Sequence, residues 1–184
     1  TAIEIDEEDD WTIAEKMMYK YILSKRIKPI IKLFLSDVDG TLTDAGMYYG
    51  ENGNELKKFN TRDGKGFELL HRAGIKTGII TSENTKIVEN RAKKLKVDFL
   101  RQGIEHNGKL EAVKRICQNE NILLSEVAYV GDDINCKELL QSVGLAACPL
   151  DATQEIKDVL NIIVLSKKGG DGAVREFAEH VLGN

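Results

Sequence analysis

Apolar and polar positions along this chain fall into blocks that read alternately as strand and helix. Short apolar or β-branched runs occupy residues 30–35, 76–81, 97–100, 127–130, 145–148 and 162–165. Helical patterns lie between and after them at 65–72, 85–95, 109–120, 136–143, 153–160 and 173–182. Short buried strands alternating with helices of this length predict right-handed crossovers, hence an α/β fold with a Rossmann-like parallel sheet covered on both faces. One segment breaks the rhythm. Met47-Tyr48-Tyr49 and residues 55–59 flank Gly50-Glu51-Asn52-Gly53, and Asn-Gly between two strand-like stretches predicts a β-hairpin. That hairpin is expected to project as a flap beyond the end of the first strand. No internal repeat or low-complexity tract is present.

The first residues have a different character. Residues 4–10 form an acidic run, and Asp9 or Asp10 is placed to cap a helix over 11–25. Pro29 then separates that helix from the first strand. The expected organisation is an acidic segment and linker helix over residues 1–28, followed by one domain over 29–184.

Composition narrows the classes. With 184 residues, ordinary apolar and charged fractions and a net charge of −4, the chain reads as a globular protein. Basic residues are scattered rather than clustered, so no nucleic-acid partner is expected. No apolar run approaches the roughly 20 residues of a membrane span and no signal-peptide pattern opens the sequence, so no membrane partner and a cytoplasmic location are expected. Cys117, Cys136 and Cys148 are an odd number at irregular spacing, which predicts reduced thiols and neither disulfides nor a zinc site. His71, His106 and His180 are likewise scattered and read as structural or surface residues.

The chemistry lies at the strand ends, where open parallel α/β sheets bind their ligands. The first strand runs into Ser36-Asp37-Val38-Asp39-Gly40-Thr41, the second into Thr81-Ser82, and the run 127–130 into Gly131-Asp132-Asp133. One Asp after a strand is more often a turn residue or helix cap; three polar clusters on one rim make a site. A carboxylate attacks phosphorus only when a divalent cation suppresses the repulsion between anions. Magnesium favours oxygen ligands, and Asp37 and Asp132, with Asp39 beside them, are the candidate ligands. Asp39 is placed to protonate a leaving oxygen and then activate water. Gly40 lets backbone N–H groups approach a phosphate. Lys109, following Gly108 at a helix start, supplies an ammonium for the phosphate and Asp37, and the Thr81 hydroxyl a directional hydrogen bond.

In this order, Asp37-Val38-Asp39-Gly40-Thr41, Thr81, Lys109 and Gly131-Asp132-Asp133 resemble the four motifs of the haloacid dehalogenase superfamily. The resemblance runs from about residue 30 to the end. It implies an aspartyl-phosphate on Asp37, general acid/base action by Asp39, and Mg2+ held between the first and fourth motifs. About 40 residues separate Asp39 from Thr81, and one helix–strand unit fits between Thr81 and Lys109, which leaves no room for a cap domain. The chain therefore resembles the capless subfamily of 3-deoxy-D-manno-octulosonate (KDO) 8-phosphate phosphatases and their relatives acting on nonulosonate (sialic acid or KDN) 9-phosphates. Lys58-Phe59-Asn60-Thr61-Arg62-Asp63-Gly64 and Gly169-Gly170-Asp171-Gly172-Ala173-Val174-Arg175-Glu176-Phe177 carry the closest likeness. The resemblance implies a homotetramer whose neighbours close each open site, with Gly40, Arg62, Ser82, Asp133 and Arg175 as substrate-binding candidates.

Glu83, with Lys94 eleven residues on, resembles the nine-carbon branch, whereas octulosonate enzymes typically carry basic residues after the Thr. Residues 2–11 and the following Ala14-Glu15 resemble the end of a CMP-sialic acid synthetase, implying a fused or associated sialic-acid enzyme. One departure stands out. The superfamily often ends Gly-Asp-Asp-x-x-Asp, and this chain has Cys136 there, so a carboxylate that would orient metal-bound water or Lys109 is missing, and weakened metal affinity is expected. The sequence leads to a Mg-dependent phosphatase of a nonulosonate 9-phosphate, with the octulosonate 8-phosphate as the alternative substrate. A non-catalytic oligomerisation domain of a CMP-sialic acid synthetase is the alternative of another class. Against it stand Asp37 and Asp39, both intact.

Overall fold

The computed structural model describes Trp11, residues 30–105 and residues 108–183. The chain divides between Ile30 and Ile31 into two units, and the second carries everything below. The expected acidic run, the helix over 11–25 beyond Trp11, and His106 lie outside the described residues.

Six parallel strands form the sheet: β1 Leu33–Ser36, β4 Lys76–Ile80, β5 Phe99–Arg101, β6 Val127–Val130, β7 Leu145–Cys148 and β8 Ile163–Val164, in the order β5-β4-β1-β6-β7-β8. A separate antiparallel ribbon pairs β2 Tyr48–Tyr49 with β3 Glu55–Leu56 around the Asn52-Gly53 turn. The helices are α1 Thr61–Arg72, α2 Lys86–Leu95, α3 Gly108–Glu120, α4 Lys137–Ser142, α5 Gln154–Lys157 and α6 Ala173–Leu182.

The alternation of strand side chains explains the three layers. Phe34, Ile79, Ala128, Val130 and Ala147 join residues of α1, α2 and α6 in one core. Leu33, Leu35, Ile80, Val127, Tyr129 and Cys148 join residues of α3, α4 and α5 in another. Successive strand residues point to opposite faces, and both faces are covered, so the strands read as continuous apolar runs. Tyr129, whose phenol burial pushes well above its ordinary range, stays neutral there.

Several boundaries differ from expectation. Helix α1 begins four residues before 65, where Asn60 caps it by accepting from the Arg62 N–H; Gly64 and Gly66 had obscured the helical pattern. Gly66 is there for packing, since a Cβ would come within 3.1 Å of the Arg175 Cα in α6. Cys136, expected to open the helix over 136–143, instead closes a 3-10 turn over 134–136, and α4 starts at Lys137. Helix α5 is one turn long, not eight residues. Phe59 leaves the ribbon and is half-buried, with the Arg91 guanidinium 5.0 Å from its ring centre.

The chain steps outward from β1 through β4 to β5 and then crosses to β6 on the other side of β1. That reversal puts a crevice between the carboxyl ends of β1 and β6, the place where doubly wound sheets bind ligands.

Candidate active site

Asp37 is the first residue past β1, and its N–H donates to the Val130 carbonyl at 3.0 Å, which fixes it against the end of β6. Its side chain is almost fully buried. Oδ1 accepts from the Val38 N–H at 2.8 Å and keeps a second lone pair. Oδ2 accepts from Lys109 Nζ at 2.5 Å and from the Cys136 thiol at 2.9 Å. Lys109 reaches it from the first turn of α3 and is itself buried. Burial opposes the lysine's charge, but Asp37 outweighs it and holds the ammonium above the ordinary lysine range.

Cys136 lies among these groups. Its sulfur is 3.3 Å from Lys109 Nζ and accepts from the Tyr129 hydroxyl at 3.1 Å. Burial, then the Asp37 charge, pushes the thiol well above its usual range, so it serves as a neutral donor. The expected loss of a carboxylate here therefore leaves no gap. A thiol fills the position, donating to Asp37 and lying within reach of Lys109, one of the groups a carboxylate there would orient.

A cleft of about 240 Å³ opens beside Asp37, lined by Asp39, Thr81, Ser82, Glu83, Asp132 and Asp133, with Ala45 and Asn135 completing it. Thr81 leaves β4 with its Oγ1 accepting from the Glu83 N–H at 3.1 Å, so its own O–H is free to donate. The Asn135 amide donates to Ser82 Oγ at 3.4 Å. Asp133 is exposed and accepts from the Ile134 N–H, as a cap of the 3-10 turn. Asp39 Oδ1 meets Thr43 Oγ1 at 3.4 Å and Lys57 Nζ at 2.5 Å.

Asp132 follows Gly131 at the end of β6 and takes a 3.4 Å hydrogen bond from Thr41 Oγ1. Burial first, then Asp37 and Asp133, push its carboxyl up to about 7. Oxygens of Asp37 and Asp132 and the Cys136 sulfur lie within 4.8 Å of one another. Gly40, at φ +72°, makes this crowding possible, because a Cβ there would meet Asp132 Oδ2 at 1.9 Å. Two crowded carboxylates facing one cleft are the donor set of a hard divalent cation, so the residues fit the expected metal.

The structure thus brings Asp37, Asp39, Gly40, Thr81, Ser82, Glu83, Lys109, Asp132 and Asp133 together. It does not bring Arg62, Lys94 or Arg175 to that cleft. Lys94 is exposed on α2 and Arg62 at the start of α1, while the Arg175 guanidinium is paired with Glu179 one turn along α6. Sequence reasoning missed Lys57, Thr43 and Asn135. A lysine after a hairpin strand carries no local signal, but the Asn two residues after a motif Asp could have been flagged.

Residues 103–177 match the model of the haloacid dehalogenase-like hydrolases. The 3-deoxy-D-manno-octulosonate 8-phosphate phosphatase of Escherichia coli is 38% identical over 152 residues, 83% of this chain and 79% of that protein. The chain belongs to the haloacid dehalogenase-like hydrolases. Within them its relatives place it among the phosphatases. The N-acylneuraminate cytidylyltransferase A of Danio rerio is 33% identical over 183 residues, 98% of this hydrolase but 42% of that protein; this chain therefore spans less than half of that relative. The structure of the octulosonate phosphatase of Moraxella catarrhalis, with a magnesium ion, a phosphate ion and KDO, superposes with a TM-score of 0.79 at 35% identity, covering 84% of this chain and 87% of that one. A cobalt-bound relative from Haemophilus influenzae superposes at 0.78 with 30% identity, covering 84% and 89%.

Proposed function

We propose that this hydrolase removes phosphate from a 2-keto-3-deoxy sugar-acid phosphate through an aspartyl-phosphate on Asp37, and that its substrate is a nonulosonate 9-phosphate of the sialic acid or KDN type. The observation that carries the mechanism is the clasp on Asp37: one oxygen is taken by Lys109 and Cys136, while the other keeps a free lone pair. Asp37 attacks phosphorus, and Asp39 gives its proton to the sugar oxygen as that bond breaks. Asp39 then takes a proton from the water that cleaves the Asp37–phosphorus bond. Thr81 and Lys109 steady the charge that develops on the transferring oxygens. Bound between Asp37 and Asp132, with Asp39 alongside, Mg2+ would neutralise the approach of two anions. Activity is expected to vanish in excess chelator and return with magnesium; full activity in chelator would refute this reading.

Two observations favour the nine-carbon substrate. Glu83 lines the cleft, where a carboxylate suits hydroxyl or amine groups and repels a second acid. The likeness to the N-acylneuraminate cytidylyltransferase also extends over nearly the whole chain, beyond the span shared with the octulosonate enzymes. It supports a first segment, residues 1–28, belonging to a fused sialic-acid enzyme. The octulosonate 8-phosphate is the second reading, favoured by relatives of that activity at 36–38% identity. Phosphate release measured across both sugar-acid phosphates decides between them: a kcat/KM higher for the octulosonate overturns the choice.

For assembly we propose a homotetramer. Tyr49 and Leu56 on the ribbon are 64% and 66% exposed, with Met47 and Tyr48 about half exposed, an apolar patch of the kind that marks interfaces. A monomeric mass at micromolar concentration would refute it.

A further inference from the structure

The strongest charge contact on the cleft that no motif accounts for is made by Lys57. This residue follows β3, the strand that ends the ribbon, and its side chain is 2% exposed. Its ammonium lies 2.5 Å from Asp39 Oδ1 and 3.2 Å from Glu55 Oε1. Burying an ammonium is costly unless it is paired, and the neighbours here supply two carboxylates. Burial opposes the lysine's charge, but Asp39 and Glu55 outweigh it and hold Lys57 above the ordinary lysine range.

The geometry on Asp39 is one-sided. Lys57 and Thr43 both meet Oδ1, which leaves Oδ2 as the oxygen able to carry a proton to and from the cleft that Asp39 lines. Asp39 is itself partly exposed, and a half-exposed carboxylate without such an anchor would sample several rotamers. Lys57, with its side chain enclosed and also paired with Glu55, ties Asp39 to one position.

We infer that Lys57 is a positioning residue of the reaction: its ammonium fixes Asp39 Oδ1 so that Oδ2 delivers the proton to the leaving sugar oxygen and later receives one from water. Lys57 keeps its own protons in both steps. The ribbon is then part of the proton-transfer apparatus as well as an exposed arm. This inference rests on the acid/base reading of Asp39. It requires that losing Lys57 hurt most where the leaving oxygen most needs a proton. A primary alkyl oxygen leaves poorly without one, whereas a nitrophenolate leaves unaided.

The test compares Lys57→Met, Lys57→Arg and Asp39→Asn in the full chain with magnesium, on 3-deoxy-D-manno-octulosonate 8-phosphate and p-nitrophenyl phosphate. Lys57→Met is expected to lower kcat/KM for the sugar phosphate about tenfold or more and for the aryl phosphate less than about threefold. Lys57→Arg is expected to restore most of that loss. Combined with Asp39→Asn, Lys57→Met should cost nothing further, since the group it positions is gone. Magnesium binding measured by calorimetry should be unchanged. Equal losses on both substrates, or losses that add to those of Asp39→Asn, would make Lys57 a phosphate ligand or a structural anchor and overturn the inference. If Asp39→Asn itself spares the difference between the two substrates, the acid/base reading falls and takes this one with it. Should Lys57→Met not fold, Lys57→Gln serves in the same comparison.

Discussion

Among the described residues two carboxylates lie almost without solvent, one at the rim of the cleft and one in the seam between α1 and α6, and they are held in opposite ways. Asp37 has a lysine and a thiol on one oxygen and a backbone N–H on the other. Asp63 accepts from the Arg175 N–H at 3.0 Å through Oδ1, while Oδ2 is buried with no partner. The nearby Arg91 lowers the proton affinity of Asp63 only in part, and its Nε is also buried and unpaired. Burial therefore dominates, and the Asp63 carboxyl is pushed up to about 6. The rim surrounds its carboxylate with an ammonium, a thiol and an N–H, as the proposed nucleophile requires. The seam compensates its charge poorly and is more stable with the acid neutral.

The largest expected effect breaks the rim. Asp37→Asn should cut phosphate release by at least about 10⁴-fold, because an amide neither attacks phosphorus nor carries the charge a cation needs. Its carbonyl still accepts from Lys109, so the protein should fold; phosphate release within tenfold of wild type would remove Asp37 from the role of nucleophile.

Lys109→Met makes Asp37 resemble Asp63. We expect kcat/KM to fall by about 10²–10³, the usual loss for one transition-state donor. A loss of less than about threefold would remove Lys109 from that role.

Asp63→Asn tests the seam directly. The folded carboxyl titrates near 6 against an ordinary 3.8, so between those values the folded chain binds more protons than the unfolded one. Stability contributed by neutral Asp63 is thus present below about pH 4 and lost as pH rises to about 6, at most about 3 kcal/mol. Denaturant titrations at pH 4 and 7 should show wild type losing that much more than Asp63→Asn, with turnover little changed. An equal loss in both would place the pH dependence elsewhere.

The smallest effect concerns the cleft wall. Glu83→Ala should lower kcat/KM for a nonulosonate 9-phosphate about tenfold, near 1.4 kcal/mol, and leave an aryl phosphate unchanged. Equal slowing of both would assign Glu83 to the fold or the metal site and remove the main support for the nine-carbon substrate.

Most of the architecture was legible in the sequence because parallel strands buried on both faces leave short continuous apolar runs, and the helices between them keep their period. The helix starting at Thr61 was read too late, since its two glycines lower local helix propensity and its justification lies across the seam in α6. The rim residues Asp37, Thr81 and Asp132 were legible for the same reason as the strands, because each lies within two residues of a strand end. Arg62, Lys94 and Arg175 lie outside the lining of the single-chain cleft, since resemblance supplies a residue but not its contacts.

By itself, the sequence determined the alternation of strand and helix, the absence of room for a cap domain, and which carboxylates leave the sheet on one edge. These are local properties, carried by periodicity and by residues adjacent to strand ends. Only the tertiary structure decided what each carboxylate meets. The Lys109–Asp37 and Cys136–Asp37 bonds join positions 72 and 99 residues apart, and Lys57 reaches Asp39 across a hairpin from 18 residues away. Whether a buried charge is compensated depends on such contacts within a few ångströms, and no local pattern in the chain encodes them.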